Sequence, residues 1–131
     1  MRVPKRFLVV DDDPINNRLC DRIIRKKFPD VDIKLFENPE LALSFIEEEY
    51  MMQKEFHTFL FLDINMPSMT GWEFLEKFET FDESIHNQFT INILSSSVDE
   101  RDIEKASSNG FVSGFQSKPL MLTRLHEIFP E

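Results

Sequence analysis

Four aspartates and one lysine carry most of the chemistry this sequence can offer. Asp11, Asp12 and Asp13 follow directly on the apolar run Phe7-Leu8-Val9-Val10, and Asp63 follows directly on a second run, Phe59-Leu60-Phe61-Leu62. A short continuous apolar run that stops at acid reads as a strand buried on both faces and ending at a polar rim. Carboxylates brought from two such ends into one crevice repel each other by about 4 kcal/mol per pair at about 4 Å, for an effective dielectric of about 20. Something positive must sit among them. A hard divalent cation such as Mg²⁺ suits the place, because it takes oxygen ligands, keeps several waters and accepts one or two carboxylates from a protein. Lys118, just before Pro119, is a second source of positive charge. The competing readings are a solvated turn in which Asp13 only caps the next helix, and an ordinary surface lysine. The position of both segments at strand ends favours a site.

An alternation of strands and helices must bring these residues together. From Pro14, the apolar residues Ile15, Leu19, Ile23, Ile24 and Phe28 recur at helical spacing, with Asp13 as cap and Pro29 as stop. Asp32 to Glu37 gives a second strand, Asn38-Pro39 opens a helix through Leu41, Leu43, Phe45 and Ile46, and the polar stretch Glu47 to Glu55 reads as a solvated helix end plus loop. Phe59 to Leu62 is the third strand, Pro67 to Gly71 a turn region and Trp72 to Phe81 a helix. Phe89 to Leu94 is the fourth strand, Asp99 to Ser108 a helix, Gly114 to Ser117 the fifth strand, and a last helix ends near Phe129. Five strands alternating with five helices predict a doubly wound α/β fold, a parallel sheet with helices on both faces. For the flavodoxin-like order 2-1-3-4-5, ligands bind beyond the carboxyl ends of the strands, between the first and third. Asp11, Asp12 and Asp63 stand there.

The totals bound the function. A chain of 131 residues, 41% hydrophobic, is expected to form one domain over 1–131 with no separate output domain. The formal charge of −9 argues against nucleic acid or an anionic membrane as partner and favours a protein or a bound cation. The single cysteine, Cys20, cannot form an internal disulfide and reads as a small buried hydrophobe in a reducing compartment. The basic start, Met1 to Arg6, is short and the apolar run after it stops at Asp11, too early for a signal peptide or membrane helix, so a cytoplasmic protein is expected. His57, His86 and His126 lie apart without ligand spacing, which argues against zinc. Arg18, Arg22 and Arg25 share one face of the first helix, ordinarily a solvated stripe.

Four fragments, Phe7-Leu-Val-Val-Asp-Asp-Asp-Pro14, Phe61-Leu-Asp-Ile-Asn-Met-Pro-Ser-Met-Thr-Gly71, Leu94-Ser-Ser96 and Phe115-Gln-Ser-Lys-Pro119, occur in this order. Together they resemble the signature of response-regulator receiver domains of two-component signalling, chemotaxis-regulator-like and covering essentially the whole chain. The resemblance implies that Asp63 is the phosphoacceptor, that Asp11 and Asp12 are the acidic pair holding Mg²⁺ with Asp63, and that the main-chain carbonyl of Asn65 is a further ligand. It makes Lys118 the partner of the aspartate and then of the phosphoryl oxygens, Ser95 the switch hydroxyl and Phe115 the aromatic switch residue. Asn65 and Ser97 would occupy positions that influence the lifetime of the phosphoryl group. A histidine kinase or histidine phosphotransfer protein would be the donor, docking over the first helix, and an unidentified protein the downstream target.

The register leaves alternatives open. Ser95, Ser96 and Ser97 are consecutive, and the spacing from Ser95 to Lys118 is about one residue longer than usual, so Ser96 competes for the hydroxyl role. Phe115 could be plain core in a chain with 14 phenylalanines. The segment Glu47 to His57 is longer than the family's usual loop. Two other functions compete: a metal-dependent phosphatase working through an aspartyl phosphate, and a docking receiver that is never phosphorylated. Phosphatases of the haloacid-dehalogenase type resemble this chain in their strand-end aspartate but place a second acid two residues on, where Asn65 stands here, and they enclose substrate with a cap domain. A docking receiver would not need the complete set of acids, hydroxyl and lysine.

Overall fold

A computed structural model describes residues 3–97 and 99–130. In chain order the elements are β1 (Arg6–Val10), α1 (Pro14–Lys27), β2 (Asp32–Phe36), α2 (Pro39–Met51), β3 (Thr58–Leu62), α3 (Gly71–Glu79), α4 (Glu83–His86), β4 (Phe89–Ser95), α5 (Glu100–Ser108), β5 (Val112–Ser117) and α6 (Leu122–Ile128). The strands form one parallel sheet in the order β2-β1-β3-β4-β5, as the sequence predicts. Every residue of β1 and β3 is buried, while β2 at one edge is half-exposed.

Strand alternation divides the core in two. Leu8, Val10, Leu60, Leu62, Ile91 and Ile93 face α2, α3, α4 and α5, packing with Ala42, Ile46, Tyr50, Phe74, Phe78, Ile85 and Ala106. Phe7, Val9, Phe59, Phe61 and Leu94 face α1 and α6, packing with Cys20, Ile24, Leu125 and Phe129. On this second face the rings of Phe7, Phe59 and Phe129 lie 5.3–5.8 Å apart, spacings at which aromatic pairs attract beyond their buried area. Cys20 is fully buried and burial, with Asp11 nearby, pushes its thiol up to about 12, so it packs as a small hydrophobe.

Three expectations change. A one-turn helix, α4, stands between α3 and β4, capped by Asp82, whose side chain accepts from the Ser84 N–H. Four residues are too few to show a helical period, so the sequence signal was only the capping aspartate. The stretch after Ile46 is more ordered than a solvated tail: α2 runs to Met51 and Tyr50 is fully buried. Finally, α1 is rotated relative to its apolar pattern. Its buried residues are Asn16, Asn17, Cys20 and Ile24, whereas Ile15 is 64% and Leu19 42% exposed. The stripe Asn16-Cys20-Ile24 repeats every four residues, and the site explains why amides occupy it.

Candidate functional site

The sheet delivers the site residues by extending its ladder one step beyond each strand. The Asp11 N–H donates to the Phe36 carbonyl at 3.0 Å, the Asp63 N–H to Val10 at 2.9 Å, and the Lys118 N–H to Ser95 at 2.8 Å. Asp11, Asp63, Ser95 and Lys118 therefore sit on adjacent strand ends with fixed backbones. Asp13 caps α1 by accepting from Ile15 N–H at 2.9 Å, which separates its role from those of Asp11 and Asp12. Gly71 at the start of α3 closes the loop after Asp63: a Cβ there would lie 2.7 Å from the Asp63 carbonyl oxygen and 2.8 Å from Ile64 Cα, so no side chain fits.

Carboxylate oxygens of Asp11, Asp12 and Asp63 all lie within 4.8 Å of one another, the first and third buried and Asp12 exposed. Lys118 Nζ is 2.6 Å from Asp11 Oδ2 and 3.6 Å from Asp63 Oδ2. Three carboxylates against one ammonium leave an excess of two negative charges. Burial, with the charge of Asp11 next, pushes the Asp63 carboxyl up to about 6, against the opposing pull of Lys118 and the Asn65 N–H. Burial draws the Lys118 ammonium down, but its bonds to Asp11 and Asp63 outweigh that and the net shift is upward. A compact set of hard oxygen donors, with surplus charge and one exposed member open to a hydrated ion, is the donor chemistry that Mg²⁺ takes. The residues present fit that ion.

Two residues that the sequence reading passed over orient the acids. Asn16 Nδ2 donates to Asp11 Oδ2 at 2.7 Å and Asn17 Nδ2 to the Asp11 carbonyl at 2.9 Å. The Asp13 N–H donates to Asp11 Oδ1 at 2.9 Å, so both carboxylate oxygens of Asp11 are held. The four-residue repeat Asn16-Cys20-Ile24 was the signal available for Asn16: an amide in line with two apolar residues one and two turns on belongs to the buried side.

Of the three serines, Ser95 is fully buried at the end of β4, and Ser96 and Ser97 are exposed. The Ser95 hydroxyl donates to the Ser97 carbonyl at 3.1 Å and accepts from the Ser97 N–H at 3.3 Å, so here it closes its own turn. The Asn65 N–H donates to Asp63 Oδ1 at 3.2 Å, and Asn65 Nδ2 is 3.5 Å from Ser97 Oγ, bringing these two side chains together above the aspartate. Phe115 is half-buried: one side packs on the core beneath α5. It lines both a cavity of about 170 Å³ with Ile103, Ala106 and Val112, and the groove along α6 that reaches Lys118 and Arg124. Arg18, Arg22 and Arg25 are exposed on α1, with Arg25 paired to Asp21 at 3.1 Å.

No helix among the described residues is long and apolar enough to cross a membrane. The chain matches the family described as "Response regulator receiver domain" over residues 7–129. It is 30% identical over 115 residues to Stress response regulator protein 1 of Candida tropicalis, covering 88% of this chain and 40% of that protein. Its structure superposes on the two-component response regulator from Cytophaga hutchinsonii with a TM-score of 0.87 at 30% identity, covering 98% of this chain and 96% of that one. The response regulator receiver protein from Dyadobacter fermentans gives 0.84 at 24% identity, covering 95% and 94%, a likeness of fold. The chain spans 40% or less of the length of the curated relatives it matches. The extent of the family match and the fold together show that this chain belongs to the response regulator receiver domain family.

Proposed function

We propose that the chain is a phosphorylation-controlled interaction switch, in which Asp63 accepts a phosphoryl group from a phosphohistidine on a histidine kinase or phosphotransfer protein. The observation that carries this reading is the crevice itself: two buried aspartates and one exposed aspartate on neighbouring strand ends, with one lysine and surplus negative charge. An Asp63 carboxylate oxygen attacks phosphorus, the P–N bond of the donor breaks, and the histidine leaves as the neutral imidazole after taking up a proton. Mg²⁺ held by Asp11, Asp12, Asp63 and the Asn65 carbonyl supplies positive charge to the transferred oxygens. Lys118, already between Asp11 and Asp63, shifts its bond to a phosphoryl oxygen as one forms. With Lys118 already opposing the upward shift of Asp63, a metal ion held beside it would draw the Asp63 carboxyl down from about 6 and favour the reactive anion.

The acyl phosphate carries nearly two negative charges and three acceptor oxygens. Satisfying them requires Ser95 to release its bonds to Ser97 and turn its hydroxyl toward Asp63. Phe115 then moves from its half-buried position toward the space behind Ser95, a further burial worth about 1 kcal/mol or less because the ring is already largely covered, and so a modest bias toward the switched state. The face formed by α5, β5 and α6, around Glu104, Phe115 and Leu122, is the surface that a downstream protein reads. Ile15 and Leu19, exposed on α1 beside Arg18 and Arg22, offer the donor an apolar patch with a basic rim. The reading places the protein in a reducing, cytoplasmic setting as a single receiver unit over 1–131. Likeness to a fungal stress response regulator makes stress signalling the first process to examine.

Incubation with acetyl phosphate and Mg²⁺ tests the reading by intact mass. One added phosphoryl group is expected, lost on chelation of the metal and absent from Asp63→Asn. An undiminished adduct in that variant overturns the assignment.

A further inference from the structure

Trp72 and α5 are joined by contacts that nothing in phosphoryl transfer requires. The indole N–H donates to Asp102 Oδ1 at 3.3 Å, and Lys105 Nζ lies 5.5 Å from the centre of the indole ring. Trp72 is half-buried against the core, and it follows Gly71, whose backbone lies directly on that of Asp63 and Ile64. Gly71 also donates its N–H to the Ile64 carbonyl at 3.0 Å, so the indole is referenced rigidly to the phosphoacceptor loop. Asp102 belongs to the first turn of α5, whose cap Asp99 comes four residues after Ser95. The indole–carboxylate bond thus joins the phosphoacceptor loop to the helix that follows Ser95.

We infer that Trp72, Asp102 and Lys105 form a latch that holds the first turn of α5 in the resting arrangement and so sets how readily Asp63 chemistry switches the domain. This deepens the proposed function and rests on it. The ring donates a hydrogen bond to one residue of α5 and meets the cation of another one turn on, so the latch grips α5 at two points. In this arrangement Ser95 is tied back to Ser97, so the latch and the resting hydroxyl are seen together. A contact made only in the resting state taxes every ligand that binds the switched state, and its removal tightens that ligand without touching the site.

Beryllofluoride with Mg²⁺, a mimic of the phosphoryl group, provides the test on the full chain. Its half-saturating concentration is read by fluorine NMR for the parent, Asp102→Ala, Trp72→Phe and the double variant. The latch requires each single variant to bind the mimic about three- to tenfold more tightly, the worth of one half-exposed hydrogen bond to a charged acceptor. The double variant must gain little more than either single one, because both remove the same contact. Glu100→Ala removes a first-turn acid that does not touch the indole and must leave affinity within twofold of the parent. Unchanged or weaker binding in Asp102→Ala and Trp72→Phe, or fully additive effects, overturns the latch while leaving Asp63 as phosphoacceptor. Failure of the parent to take up either beryllofluoride or a phosphoryl group overturns the proposed function and the latch with it. Asp102 is half-exposed in a first turn, so the Asp102→Ala arm stands even where Trp72→Phe lowers stability.

Discussion

The two ends of the sheet bury polar side chains in opposite ways. At the amino end, Arg6 on β1 is 8% exposed and forms an ion pair with Asp32 on β2. Arg6 donates to the Tyr50 hydroxyl at 3.2 Å, and its guanidinium lies 4.7 Å from the centre of the Phe56 ring and 5.2 Å from that of Phe45. The Tyr50 hydroxyl is hydrogen-bonded to Thr58 Oγ1 at 2.6 Å, and Thr58 donates to the Phe56 carbonyl at 3.1 Å. Gln88 adds bonds to the carbonyls of Tyr50 and Ser84 and accepts from the Phe56 N–H. One cation meets one anion, and each remaining group has a partner. At the carboxyl end three acids meet one lysine, and Asp63 is left with a raised affinity for protons. A balanced cluster is structural and needs nothing more. An unbalanced one stores electrostatic free energy that a bound cation releases, and the cation can then meet a phosphoryl group.

The sharpest way to break this comparison is to remove the cation from each end. Lys118→Met leaves Asp11 and Asp63 facing each other in a buried place and should lower metal-free stability by about 3 kcal/mol near neutral pH. Saturating Mg²⁺ should restore most of that loss in urea unfolding; a loss that Mg²⁺ leaves untouched would show that the carboxyl end is as closed as the other. Arg6→Met should cost about 2 kcal/mol, less because Asp32 is partly exposed and stays hydrated, and the cost should be the same with and without Mg²⁺.

A smaller effect comes from pH. The folded Asp63 carboxyl titrates near 6, above its unfolded value of about 3.9, so between those values the folded state binds more protons and stability falls as pH rises. Metal-free Asp63→Asn should therefore match the parent near pH 4 and exceed it by about 1–2 kcal/mol above pH 7, after allowance for solvent and for coupling to Asp11. Thermal unfolding across that range reads the crossover, and a parent that is more stable than the variant at high pH without metal would contradict it. The smallest effect separates neighbouring acids. Asp12→Ala should weaken Mg²⁺ about five- to tenfold, while Asp13→Ala should leave Mg²⁺ affinity near that of the parent and cost about 1 kcal/mol of stability as a lost cap. Equal losses in a metal titration would merge the two roles.

The order of the strands, the helices on both faces and the meeting of Asp11, Asp12, Asp63 and Lys118 were legible in the sequence. The two central strands, β1 and β3, carry continuous apolar runs that stop where Asp11 and Asp63 begin. The parallel winding then leaves one place where those ends converge. What the chain wrote less clearly was orientation. Ile15 and Leu19 have the spacing of a buried stripe, yet they face outward because Asn16 and Asn17 must reach Asp11. Hydrogen bonds to the buried carboxylate and main-chain carbonyl of Asp11 outweigh the burial of two aliphatic side chains that keep part of their contact with protein.

The sequence by itself determined the fold class and which residues could do chemistry, since both follow from local periodicity and from residue type at strand ends. Tertiary structure alone decided the rotation of α1, the choice of Ser95 over the exposed Ser96 as the buried serine at the strand end, the closed polar cluster around Arg6 and Tyr50, and the bond between Trp72 and Asp102. These are contacts between residues up to 44 positions apart, fixed by the free energy of the whole packed arrangement. No local pattern encodes which of several acceptable partners a side chain meets, because that choice is made only when the faces of the sheet are covered.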